Sequence, residues 1–230
     1  MVAVGMNNNW HRFNNTAELD RALAHHLAQR LTEDLARYGD ASMAVSGGST
    51  PSGMFAQLSR CDLDWSRVWL TLVDERCVPV DSPDSNERLL RQNLLQNQAA
   101  GARFISMANA AREGIGALDS KISNMPRPFS AVVLGMGNDG HTASWFPGAT
   151  NLAALLDPDN PAQVMETEPP TAPHRRITLT LAAVMQSREI IVHITGPEKK
   201  AVLEQAADRD SPVAAALAQR EIPTSIWWAA

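Results

Sequence analysis

The segment Gly135-Met136-Gly137-Asn138-Asp139-Gly140-His141-Thr142 sets a carboxylate and an imidazole one glycine apart on a flexible turn. An aspartate at that spacing can orient or polarise a histidine ring, and a ring held in this way serves as a general base beside a bound substrate. The same letters also spell Gly-x-Gly-x-x-Gly after an apolar run, so a dinucleotide site has to be weighed. Two features oppose it. Asp139 would put negative charge where a pyrophosphate must lie, and no strand ending in an acidic residue follows about 20 residues later. A third reading, a helix-capping Asp139 with an incidental His141, stays open on spacing alone.

A second set of residues suits an anion. Ser46-Gly47-Gly48-Ser49-Thr50 puts two glycines and three hydroxyls between a strand and a helix start, where several backbone N–H groups converge. The lysine of a nucleotide-binding P-loop is missing, which disfavours nucleoside triphosphates. Asp74-Glu75-Arg76 offers two acids and a fixed cation after another apolar run, and Arg176 and Lys199 are further phosphate candidates. Taken singly, the first is also a capped tight turn and the others are also solvated charges.

These residues need a frame that collects them. Leu19, Leu23, Leu27, Leu31 and Leu35 fall on one face of a helix predicted from Asn15 to about Tyr38, with Asn15 and Glu18 as a capping pair and Gly39 as its stop. Apolar runs at 41–45, 68–73, 131–134 and 190–194 read as strands, each followed by a polar turn and a helical pattern. Weaker strand candidates lie at 163–166, 176–181 and 225–228. The expected fold is α/β, one Rossmann-like domain over 1–230 with a mostly parallel sheet of about six strands flanked by helices. Ligands of such sheets bind beyond the carboxyl ends of the strands, where all the candidate motifs fall. The Pro-rich stretch 157–173 reads as a surface excursion or lid.

Charge and composition exclude several classes. The net charge of −5 is spread along the chain, so no nucleic-acid surface is implied. No apolar run approaches the ~18 residues of a membrane helix, and Met1 to Gly5 with the asparagines after it lacks the features of a leader. Cys61 and Cys77 have no metal-ligand spacing and suit a reducing, cytoplasmic setting. His25 and His26 read as flank positions of the first helix. His193, in an apolar strand, reads as a satisfied core histidine.

Six stretches in order resemble the 6-phosphogluconolactonases, a branch of a larger group that includes the glucosamine-6-phosphate deaminases. They are Ser46 to Pro51, Asp74 to Pro79, Asp84-Ser85-Asn86, Gly135 to Ser144 with Phe146-Pro147-Gly148, Arg176 to Thr180, and Thr195 to Lys199. The resemblance implies hydrolysis of 6-phospho-D-glucono-1,5-lactone to 6-phosphogluconate in the oxidative pentose phosphate pathway, with a phosphosugar lactone as partner and no metal or organic cofactor. It implies that His141 takes a proton from water with Asp139 beside it. Ser46, Gly47, Gly48, Ser49, Thr50, Asp74, Arg76, Asn86, Gly137, Arg176 and Lys199 are then the substrate contacts, with Lys199 chosen over Lys200 because it stands three residues after Gly196. A monomer or small homo-oligomer is expected.

The rivals are a deaminase-like isomerase and a non-catalytic sugar-phosphate sensor. Against the first, Phe146 stands where the deaminase pattern has Glu and Arg76 where it has Tyr. Against the second, no basic helix-turn-helix precedes the α/β pattern.

Overall fold

The computed structural model describes residues 9–108, 110–206 and 211–230; Met1 to Gly5, read above for a leader, lie outside them. The leucine stripe forms α1 (Thr16–Tyr38), in which Leu19, Leu23, Leu27 and Leu31 are buried. Burying each contributes about 2 kcal/mol. Asn15 Oδ1 accepts the Glu18 N–H at 2.9 Å to start the helix, and Gly39, at φ 89°, ends it.

Among the described residues the main sheet has seven strands, all parallel, in the order β1-β10-β9-β6-β2-β3-β5. They are β1 (Asn9–Phe13), β2 (Ala41–Val45), β3 (Val68–Leu72), β5 (Arg103–Ile105), β6 (Ala131–Leu134), β9 (Ile190–Thr195) and β10 (Thr224–Ala229). β2 and β6 are buried at every position, as a parallel sheet covered on both faces requires. The intervening helices are α2 (Ser52–Leu58), α3 (Asn86–Asn93), α4 (Ala110–Glu113), α5 (Ile115–Ser123), α6 (Leu152–Leu155), α7 (Leu181–Met185), α8 (Pro197–Glu204) and α9 (Pro212–Ala218).

The sequence expectation needs correcting at the edges. Two of its strand candidates, now β7 (Val164–Thr167) and β8 (Arg176–Leu179), leave the main sheet and join β4 (Asp74–Arg76) in an antiparallel sheet of their own. The predicted run 176–181 stops at Leu179 because Thr180 caps α7 through its side chain. The stretch 157–173 is not wholly a surface excursion, since β7 lies within it and buries Val164 and Thr167. No described helix is long and apolar enough to cross a membrane.

Candidate active site

The carboxyl ends of β2, β3, β6 and β9 open on a cavity of about 300 Å³. Its walls include every predicted contact: Ser46 to Thr50, Asp74, Arg76, Asn86, Gly137, His141, Arg176 and Lys199. Asp139 is the exception. It stands behind His141, with Oδ1 2.5 Å from the ring Nδ1 and 3.2 Å from the His141 backbone N, from which it accepts.

Local backbone chemistry makes this pair. Gly137 N–H donates to the His141 carbonyl at 2.9 Å and Gly140 N–H to the Gly137 carbonyl at 3.0 Å, closing a tight loop. A Cβ on Gly137 would lie 2.2 Å from His141 Cε1 and 2.7 Å from Asp139 Oδ1, so glycine leaves the space that the dyad fills. On its other side the His141 ring meets Phe146, with centroids 4.4 Å apart. No helix among the described residues starts at Asp139, and its carboxylate meets the His141 ring instead.

Alternation along β4 sorts the Asp-Glu-Arg motif. Asp74 and Arg76 line the cavity, whereas Glu75 points away and is fully buried. Its carboxylate accepts from the backbone N–H groups of Arg76, Asn86 and Glu87 at 2.7, 2.8 and 2.7 Å and from the Ser85 hydroxyl at 3.0 Å. Burial raises its pKa against those bonds. Glu75 is therefore a strut that ties the start of α3 to β4. Asn86 then delivers its amide to the Asp74 carbonyl at 2.9 Å, and Ser144 donates to Asp74 Oδ2 at 2.6 Å. Ser144 is thus occupied in holding a carboxylate.

Positive charge gathers on one side. Arg76 and Arg176 are cross-strand partners in the small sheet, Arg76 donating to the Asp84 carbonyl at 2.6 Å and Arg176 to the Pro173 carbonyl at 3.1 Å. The Nε of each is buried without a partner among the described residues. Burial first, and then Arg76, lowers the pKa of Arg176. Two desolvated guanidinium groups side by side repel one another, and an anion between them relieves both costs. Lys199, also lowered by burial, lines the cavity. Lys200 turns outward to Glu204 at 2.6 Å and rests against the Trp10 and Trp228 rings.

Sequence reasoning misplaced one residue. His193 is only 2% exposed, as a core histidine should be, but it lines the cavity and its buried Nε2 has no hydrogen-bond partner among the described residues. An unsatisfied buried group of this kind costs about 1–3 kcal/mol, so it is not the satisfied core residue expected. Its one signal in the sequence was a polar ring in an otherwise apolar strand. His26, by contrast, is a flank residue, with Nε2 2.8 Å from Glu189. No described group of His, Cys, Asp and Glu has the geometry of a metal site.

Residues 14–228 match a family model described as glucosamine-6-phosphate isomerases/6-phosphogluconolactonase. A 6-phosphogluconolactonase of Rhizobium meliloti is 44% identical, over 97% of this chain and 100% of its own length. One from Mesorhizobium japonicum is 41% identical over 98% and 97%. The crystal structure of a 6-phosphogluconolactonase from Shewanella baltica superposes with a TM-score of 0.92 at 43% identity, covering 97% of this chain and 98% of that one.

Proposed function

The chain belongs to the family of glucosamine-6-phosphate isomerases and 6-phosphogluconolactonases, and we propose that it hydrolyses 6-phospho-D-glucono-1,5-lactone to 6-phospho-D-gluconate, the lactone-opening step of the oxidative pentose phosphate pathway. It is a carboxylic ester hydrolase. The observation that carries this reading is the 2.5 Å contact between Asp139 and His141, whose ring lines a cavity also walled by Arg76, Arg176 and Lys199.

Asp139 accepts a hydrogen bond from the Nδ1–H of His141, which leaves the lone pair on Nε2. That nitrogen takes a proton from water as the oxygen attacks the lactone carbonyl. Collapse of the tetrahedral adduct breaks the bond to the ring oxygen, and the imidazolium returns its proton there. The products are a hydroxyl and a carboxylic acid, which ionises. The substrate phosphate sits among the guanidinium groups, Lys199 and the Ser46 to Thr50 turn, so remote binding energy holds the carbonyl against His141. The chain has no Gly-x-Ser-x-Gly elbow, which supports direct attack by water.

Phe146 argues against isomerisation with deamination. Its ring lies 4.4 Å from that of His141, where an apolar group can neither give nor take a proton. The setting we propose is the cytoplasm, a reading supported by the unpaired Cys61 and Cys77.

The test is to add purified protein to freshly prepared 6-phosphogluconolactone and follow acid release, with glucosamine 6-phosphate as the control. Acid release above the spontaneous rate with no ammonia is expected. Ammonia from the control, or no acceleration with the lactone, would overturn the reading.

A further inference from the structure

We propose that His193 is a second histidine of the binding site, whose ring donates a hydrogen bond to the substrate phosphate beside Lys199. The inference rests on the function proposed above and names a residue that the motifs do not contain.

His193 sits near the end of β9, and the chain turns at Gly196 into α8, whose first turn carries Lys199. Both side chains line the same cavity. The ring is 2% exposed and its Nε2 finds no partner among the described residues. A histidine kept only for packing has no use for an orphaned nitrogen, because phenylalanine fills similar volume with no polar group to satisfy. The arrangement makes sense when the missing partner arrives with the ligand.

The neighbourhood selects what that partner is. Burial and the Lys199 charge both oppose protonation of the ring and hold its pKa at about 4, so it offers one N–H and no charge. A neutral donor beside an ammonium suits an anionic oxygen, which a phosphate supplies and a hydroxyl does not. His141 keeps the other role. Its Nδ1 is engaged by Asp139, and its ring is part exposed where water can reach it.

The experiment compares wild type, His193→Phe and His193→Gln. Lactone hydrolysis gives kcat and KM, and calorimetry gives the Kd of inorganic phosphate. His193→Phe is expected to raise KM and the phosphate Kd together, by about 10- to 100-fold, with kcat within about threefold. His193→Gln, which keeps an N–H donor, should recover part of both losses. Unchanged KM and Kd, or a raised KM with unchanged Kd, would overturn the proposal. Wild type that binds phosphate but leaves the lactone untouched would sink the function instead, while the Kd comparison still tests His193. If His193→Phe does not fold, nitrogen NMR of wild type with added inorganic phosphate decides, His193→Gln identifying the signal. The ring resonances must move, and static ones would overturn the contact.

Discussion

Asp139 and His141 are separated in sequence only by Gly140, yet their side chains meet, Oδ1 lying 2.5 Å from Nδ1. So short a link between near neighbours requires the turn to double back, and it engages Nδ1, so that Nε2 is the nitrogen left to act as base under the proposed function. Removing the base should then cost chemistry and spare binding. His141→Ala is expected to lower kcat by about 10²- to 10⁴-fold with little change in the Kd of inorganic phosphate. Asp139→Asn should lower kcat by a smaller factor, because Asp139 is half exposed and water can replace part of its role. Steady-state kinetics of the two variants check this, and near-normal turnover of His141→Ala would remove it as base.

Gly137 tests whether geometry or mere presence of the dyad matters. A methyl group there overlaps the His141 ring and Asp139 Oδ1, both at the ends of side chains that can swing aside. Gly137→Ala should fold with stability within about 1 kcal/mol of wild type and lose about 100-fold in kcat, the order expected of a 1 Å misplacement. Urea unfolding alongside kinetics separates the two effects. A large stability loss would assign Gly137 to the fold.

Adjacent lysines give a paired comparison. Lys199 lines the cavity and Lys200 pairs outward with Glu204. Lys199→Ala should raise KM by about 10-fold or more. Lys200→Ala should stay near wild type, since exposed i,i+4 pairs contribute about 0.5 kcal/mol or less. Equal effects on KM would mean that the site does not discriminate between them.

Much of this was readable in the residues, and the misses have physical causes. The α1 stripe and the β2, β6 and β9 runs were legible because burial on one helical face or on both sheet faces imposes a period or an unbroken apolar run. β5 has three residues and β4 reads Asp-Glu-Arg, too short or too polar to show a period. That β8 pairs with β4 and not with the main sheet depends on contacts distant in sequence, which local pattern does not encode. In the site, the motifs named the cavity residues, but the outward turn of Glu75 follows from strand alternation in a strand that was not foreseen. The orphaned nitrogen of His193 is a property of its surroundings, not of its neighbours in sequence.

Glu75 should behave as a structural residue despite its place in the motif. Its carboxylate accepts three backbone N–H groups and one hydroxyl while fully buried. Glu75→Gln keeps the shape but turns an NH₂ group toward donors. We expect a loss of about 3 kcal/mol and, as α3 shifts with Asn86, a raised KM. Thermal unfolding tests it. An unchanged Tm would show that the amide satisfies the cluster as well as the carboxylate does.

His193 also predicts how stability changes with acid. Burial, and secondarily Lys199, lower its pKa from the ordinary 6.5 to about 4. Between those values the unfolded chain binds a proton that the folded protein refuses. Its contribution is therefore fully present above pH 6.5, falls as pH drops through the window, and is lost at about pH 4, amounting to about 3 kcal/mol. Other titrating groups add their own slopes, so the comparison with His193→Phe isolates this one. Urea unfolding at about pH 7 and pH 4.5 should show wild type losing more stability on acidification than the variant. Parallel losses would mean that the ring gains its proton as easily in the folded protein as in the unfolded chain. The proposed phosphate site would then contain a cationic histidine at mildly acidic pH, a different donor from the neutral one that the proposal assigns to the buried ring.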